Sequence, residues 1–384
     1  MSAAARSITR VNFASVPARL LAVDGLRGLI IVFMALDHAN HFVAQKHSTG
    51  EYWGGPFPTY DEVLPFVTRL ITHLAAPGFF FLMGVGMIYF AQSRLETGWS
   101  RWAILRHFWI RGAILIAIQL FIVNRAWELS PKGWGLEIYL GVLFALGGAM
   151  INGSFLLWLR PKFLIVIIAI LVIGTELLHP DPALWGTVPS DVGNLTLLRP
   201  GGDVQLWSNY PILPWFELVV FGILFGRWLR SNPDRTYRRG LFLGLIFLLT
   251  FLVLRWLDGF GNIRPRAGSS WIDFLNVVKY PPSLTFTLLT TGVNLVILWL
   301  FSRIAKIYKV ILEPLAVYGR APLFFYVLHL FLYAAIGYIL TPNGTTIGAM
   351  VPYWLLGLIL LYPLCIGYVM FKRSRTKHSL VHYF

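Results

Sequence analysis

Cysteine is nearly absent: Cys365 is the single one in 384 residues. No disulfide can form within the chain, and thiolate metal sites are excluded. Charge is scarce as well. Asp, Glu, Lys and Arg make up 13% of the residues, roughly half the ~25% of an ordinary soluble domain. With 57% hydrophobic residues and a mean hydropathy of +0.67, a soluble fold of this length would lack polar surface. Internal repeats, low-complexity tracts and any segment resembling a soluble domain are also missing. The chain therefore reads as one polytopic membrane domain over residues 1–384.

What is present is a series of apolar runs of the length that spans a bilayer, about 20 residues as helix. They predict an all-α integral membrane bundle of about ten transmembrane helices, at 27–44, 74–92, 105–123, 138–158, 163–179, 212–229, 240–257, 284–302, 322–340 and 352–371. The run Leu29 to Leu36 is short and ends in Asp37 and His38, so the first span reads as a retained helix rather than a signal peptide.

The net charge of +15 invites a nucleic-acid reading, but its placement answers to topology. With the N-terminus inside and the spans alternating, 21 of the 32 Lys and Arg residues fall in inside segments and 8 in outside ones. This is the positive-inside pattern. It predicts cytoplasmic N- and C-termini, with a polar N-terminal segment 1–19 (Arg6, Arg10, Arg19) and a basic tail 372–384. Arg27, Arg69 and Arg320 lie at or in the spans. Three outer loops, at 45–73, 180–211 and 258–283, are rich in Gly, Pro, Trp and Tyr. Two of them end in proline clusters, Tyr210-Pro211-Ile212-Leu213-Pro214 and Lys279-Tyr280-Pro281-Pro282. Proline suits a helix's first turn; a role in shaping a binding site is equally open.

Ionisable groups within membrane helices are costly and suggest function. Arg27 and His38 are eleven residues apart, within about 20° of three full turns, so they share a face about 16 Å apart along the axis. A fixed cation near the cytoplasmic end and a titratable imidazole deeper in would suit a charged carrier docking from the cytoplasm. The alternative assigns Arg27 to the positive-inside set and His38 to a helix end. Asp24 is placed to hold Arg27. Asp37 is four residues before His41 and within reach of pairing with it, or it orients a histidine elsewhere. His73, before the break Ala75-Ala76-Pro77-Gly78, is placed to face His38 across an outer cavity. His47 lies in the first outer loop, and Glu217 lies in the sixth span. Arg320 and His329 are nine residues apart, on opposite sides of a regular helix, which argues against one shared site.

These residues resemble a known family. The stretch Leu21-Ala22-Val23-Asp24-Gly25-Leu26-Arg27-Gly28 is similar to the start of the heparan-alpha-glucosaminide N-acetyltransferase-like bacterial membrane proteins. That family sits within a wider group of transmembrane acyltransferases that includes the O-antigen O-acetyltransferases. The wider group's arginine, ten residues, then histidine matches Arg27 and His38. Agreement continues through Ala35-Leu36-Asp37-His38, Ile71-Thr72-His73-Leu74, the two proline clusters, and Gly319-Arg320-Ala321-Pro322-Leu323-Phe324-Phe325-Tyr326 to His329. The glucosaminide branch differs: it carries Asn at the position of His38 and a key histidine in the first outer loop, which His47 and Trp53-Gly54-Gly55 echo loosely.

The resemblance implies a multi-pass transferase of a bacterial inner membrane. It would pass an acyl group, acetyl foremost, from cytoplasmic acetyl-CoA or another acyl-CoA to an outer acceptor, a glycan or other small molecule. It implies Arg27, with Asp24 and Arg320, at the acyl donor, and His38 as general base or acyl carrier with Asp37 beside it. His47, His73, Lys279, Tyr280 and His329 are the acceptor-side candidates. No metal and no nucleic acid is predicted; the bilayer is the expected surrounding, and a homo-oligomer stays open. A transporter or flippase is the alternative, weakened by the lack of matching halves. A histidine-ligated haem carrier is a remote third.

Overall fold

The computed structural model describes residues 18–375, except 49, 132, 180, 188 and 189, together with residue 383. The predicted N-terminal segment with Arg6 and Arg10, and Lys132 and Lys377, lie outside the described residues.

The chain is mostly helical. Helix α1 (Ala18–Ala39) continues as a π-helical turn, Asn40–Ala44, that stops at Gln45 in the left-handed region (φ 57°). Helices α2 (Val63–Thr72) and α3 (Ala75–Glu96) form one stretch of 34 residues with a break at 73–74. Helix α4 (Arg101–Ile118) passes through a second π turn, Gln119–Val123, into α5 (Asn124–Glu128). Strand β1 (Ile138–Leu140) leads to α6 (Val142–Leu156) and α7 (Pro161–Leu177). A 3₁₀ turn, Pro182–Thr187, α8 (Val192–Leu197) and strands β2 (Gly201–Gly202) and β3 (Leu206–Ser208) make up the next loop. Then come α9 (Ile212–Ser231), α10 (Pro233–Leu257), α11 (Trp271–Leu275), α12 (Leu284–Ile307), α13 (Lys309–Gly319), α14 (Pro322–Leu340) and α15 (Ile347–Ser374).

Helix starts follow the local chemistry. Ser100 and Ser283 accept from the amides of Ala103 and Phe286, both at 3.1 Å, which caps otherwise orphaned donors. Pro161, Pro233 and Pro322 occupy first turns, where a missing N–H costs nothing. Both proline clusters launch helices: Pro211 is the N-cap of α9, and Pro281-Pro282 precede Ser283, the N-cap of α12.

Among the described residues, seven helical stretches are long and apolar enough to cross a membrane. Helices also stand at the three remaining expected spans, but α6 has 15 residues, α7 has 17, and α1 carries Asp24, Arg27 and Asp37. The span expected from 138 begins as strand β1, and its helix starts only at Val142. The loop 180–211 supplies β2 and β3, which join β1 in a small sheet of order β1-β3-β2. Tyr139 pairs with Trp207 in parallel, and Gly202 pairs with Trp207 antiparallel.

Polarity is turned inside out, as a bilayer demands. Ile170, Leu249 and Ile359 are exposed while Glu217, Asn294 and His329 are buried. Helices meet through small residues, the usual device where lipid removes the hydrophobic drive between helices. A Cβ on Gly28 would run into the Leu315 carbonyl, and one on Gly319 into the Asp24 carbonyl, so α1 and α13 touch backbone to backbone. Helix α1 is further surrounded by α3, α12, α14 and α15.

Candidate active site

Three polar assemblies hang on α1, one in its first half around Asp24 and Arg27 and two at its far end, on the adjacent residues Asp37 and His38. The first borders a cavity of about 380 Å³ lined by Arg27, Arg111, Arg320 and Lys372, by Tyr326 and Tyr368, and by apolar side chains of α3, α4 and α6. Arg27 donates to Asp24 and to the Gly319 carbonyl, both at 3.0 Å, so the expected Asp24–Arg27 link is present. Asp24 also takes Arg320 at 3.2 Å. Arg111 makes no ion pair among the described residues, and its Nε is buried without a partner. Four cations with Asp24 as the nearby anion leave this cavity strongly positive and suited to an anionic ligand with an apolar part.

The second assembly is a histidine pair. His38 Nδ1 and His329 Nε2 lie 2.6 Å apart, and the rings stack at 4.8 Å between centroids. His329 Nδ1 is 2.9 Å from the Phe325 carbonyl, which can only accept. His329 Nδ1 must therefore carry its proton and, in the neutral ring, leave Nε2 as an acceptor. His38 then donates through Nδ1 and presents a lone pair at Nε2, for which no hydrogen-bond partner exists among the described residues. A positioned imidazole held through its other nitrogen is the arrangement of a general base or nucleophile. Trp127 meets the His38 ring edge-on at 5.3 Å and Tyr326 does so at 6.4 Å.

The third assembly lies where the loop at 45–62 folds back onto the bundle. Arg69 donates to Asp37 at 2.6 Å, to Glu51 through Nε at 2.7 Å, and again to Glu51 through Nη2. Thr72 donates to Asp37 at 2.8 Å, and His73 lies 2.9 Å from Glu51. His47 Nε2 is 3.0 Å from Arg69 and 3.4 Å from Asp37. The Glu51 carbonyl accepts the amides of Lys279 and Tyr280, and Trp53 donates to the Tyr280 carbonyl at 2.7 Å, which ties the first loop to the third. Tyr280 meets Tyr210 hydroxyl to hydroxyl at 3.3 Å. Burial alone would raise the Glu51 carboxyl, but the Arg69 guanidinium and His73 outweigh it and hold it well below the usual carboxylate range. Burial, reinforced by the charge of Arg69, pushes the Lys279 ammonium down to about 8.

Several expectations need correction. Asp37 does not pair with His41: its partners are Arg69, Thr72 and His47, while His41 lies 2.9 Å from Ser130. His73 turns to Glu51 rather than to His38. Arg320 and His329 are not separated by a regular helix, because Arg320 caps α13 and α14 starts at Pro322. His329 joins His38 instead of the loop-side group.

Glu51 went unnoticed because a loop carboxylate leaves no periodicity. The signal in the sequence is Arg69 itself: an arginine in an apolar span asks for a buried acid. Arg111 lies ten residues into its helix, where a positive-inside census does not separate it from the charges at the helix start.

The family model for heparan-alpha-glucosaminide N-acetyltransferase, catalytic, matches residues 19–256, which include Asp24, Arg27, Asp37, His38, Glu51, Arg69 and Arg111 but not Lys279, Tyr280, Arg320, His329 or Lys372. The human heparan-alpha-glucosaminide N-acetyltransferase is 29% identical over 136 residues, 35% of this chain and 18% of that protein. The chain thus matches less than a fifth of that relative's length. With more than half of its residues under the family model, the chain belongs to the heparan-alpha-glucosaminide N-acetyltransferase catalytic family.

Proposed function

We propose that the chain is a membrane acetyltransferase that moves an acetyl group from acetyl-CoA on the cytoplasmic side to an amino sugar on the outer side of a bacterial inner membrane. The observation that carries this reading is the free Nε2 of His38, fixed through His329 and joined through Tyr326 to a cavity lined by Arg27, Arg111, Arg320 and Lys372. Those cations suit the phosphates of a CoA thioester, and the apolar wall suits its pantetheine arm. The sugar acceptor follows from the family's name, and the sidedness from the positive-inside pattern.

Two routes fit His38. As general base, Nε2 takes the acceptor's proton while the new acyl bond forms and the C–S bond breaks, its electron pair leaving on sulfur. As carrier, Nε2 attacks the thioester carbon, the thiolate departs, and the acceptor then takes the acyl group from the imidazole. The loop cluster faces the acceptor: Arg69 binds Asp37 and Glu51, and Lys279, Tyr280 and His47 border it.

The test is transfer from labelled acetyl-CoA to methyl glucosaminide by purified protein. His38→Ala should abolish transfer. His329→Gln should lower kcat by about 10²-fold, the scale of a misdirected base. Undiminished transfer by His38→Ala removes the reading. Labelled protein trapped by acid quench in the absence of acceptor marks the carrier route.

A further inference from the structure

Tyr326 differs from the other buried tyrosines. Tyr139 receives Asn209, Tyr210 and Tyr280 meet each other, Tyr318 donates to the Leu358 carbonyl, and Tyr333 donates to the Trp354 carbonyl. A partner is the normal state of a buried phenol. Tyr326 is equally buried, at 6% exposure, yet its hydroxyl has no hydrogen bond among the described residues. Nor is it among the polar atoms sealed off by protein; it lines the cationic cavity. The same ring lies 6.4 Å from His38, edge to face, and 5.6 Å from His329. Tyr326 thus joins the cavity to the histidine pair and carries one uncommitted O–H donor.

We infer that the Tyr326 hydroxyl is a catalytic hydrogen-bond donor to the carbonyl oxygen of the acyl group, stabilising the oxyanion formed as that carbonyl is attacked beside His38. This rests on the acyltransferase reading. On attack, by the acceptor or by His38 Nε2, the carbonyl π pair moves onto oxygen and the phenol hydrogen bond strengthens. On collapse the pair returns, the C–S bond breaks, and sulfur leaves with the bonding electrons. Tyr326 keeps its proton throughout, so no further reactant is required. A donor oriented in advance, in a site walled from water, is where such a bond acts most strongly. A tyrosine held only for its shape would be matched by phenylalanine, which fills the same space.

The experiment compares wild type, Tyr326→Phe and His38→Ala in acetyl transfer from acetyl-CoA to methyl glucosaminide. Alongside, the infrared carbonyl band of bound [¹³C]acetyl-CoA is recorded. We expect Tyr326→Phe to lose about 10²-fold in kcat, with the KM for acetyl-CoA within about twofold, and the carbonyl band to lie higher than in wild type. Unchanged kcat, or a raised KM with kcat kept, overturns the proposal. So does a carbonyl band identical in wild type and Tyr326→Phe. If His38→Ala is inactive while Tyr326→Phe matches wild type, the tyrosine's role fails and the acyltransferase reading stands. A wild type that neither binds acetyl-CoA nor transfers from it overturns both.

Discussion

Glu51→Gln tests whether the loop cluster is held by charge. Glu51 and Arg69 are both almost fully buried, and the carboxylate meets the guanidinium through two bonds while taking His73 on one of its oxygens. Removing one partner of a buried pair outright costs about 3–5 kcal/mol. The glutamine oxygen still accepts one bond and Asp37 still faces Arg69, so the loss should be nearer 2–3 kcal/mol, the upper range for hydrogen bonds to charged groups. That is about 30- to 150-fold in the unfolding equilibrium. The assay is reversible unfolding in mixed micelles, followed by tryptophan fluorescence. The pH dependence carries the sign. The Glu51 carboxyl is depressed in the folded protein relative to its ordinary 4.5, so its contribution is complete above about 4.5 and is lost as pH falls through the depressed value. The gap between wild type and Glu51→Gln should therefore be constant near neutrality and close in acid. A double-mutant cycle with Arg69→Met should show coupling. Additivity within about 0.5 kcal/mol, or equal stabilities at pH 7, would refute the reasoning.

Arg111→Leu should weaken CoA binding by about 10- to 100-fold, the worth of one charge-assisted hydrogen bond, without harming the unliganded fold; titration calorimetry with CoA reads it, and an unchanged Kd sinks the assignment. Lys279→Met should stabilise the protein at pH 7 by up to about 3 kcal/mol, because the buried ammonium titrates at about 8 against an ordinary 10.5. In that interval the unfolded chain binds more protons, so wild-type stability should rise from about pH 8 and meet the variant near 10.5; parallel pH profiles would contradict it. Gly28→Ala should cost about 1–3 kcal/mol or more by prising α1 from the Leu315 carbonyl. Gly174→Ala, whose Cβ meets nothing within 4 Å, should be neutral or stabilising by up to about 1 kcal/mol; similar melting shifts for the two would argue against the tight crossing.

Much of this arrangement was legible because helices write their periodicity into sequence. Apolar runs marked ten places where helices stand, and the 3.6-residue turn put Arg27 and His38 on one face. Ends were harder. The helix expected from 138 begins at Val142, since Ile138–Leu140 is apolar yet pairs with Leu206–Ser208, and a short apolar strand looks like the edge of a span. Partners across the bundle were not legible at all. His329 meets His38 only because α14 starts afresh at Pro322, which voids any angle counted from Arg320. Glu51 reaches Arg69 through a loop whose course is set by its carbonyl holding Lys279 and Tyr280, more than two hundred residues away in sequence.

Those partners also explain why α1 can lack the apolarity that the seven membrane-length stretches meet. A charge in a membrane helix is tolerable when it faces protein and is paired. Helix α1 is enclosed by α3, α12, α13, α14 and α15, and its ionisable side chains from Asp24 onward are matched in turn: Asp24 with Arg27 and Arg320, His38 with His329, Asp37 with Arg69. Each partner comes from outside α1 except within the Asp24–Arg27 pair. The helix is therefore held by its neighbours rather than by lipid, and substitutions on α10, whose surface is apolar and exposed, should leave the polar line on α1 untouched. The scarcity of charge in the spans and the pairing on α1 have one cause: the bilayer excludes ionisable groups from the lipid-facing rim, and Asp24, Asp37 and His38 close on partners inside the bundle.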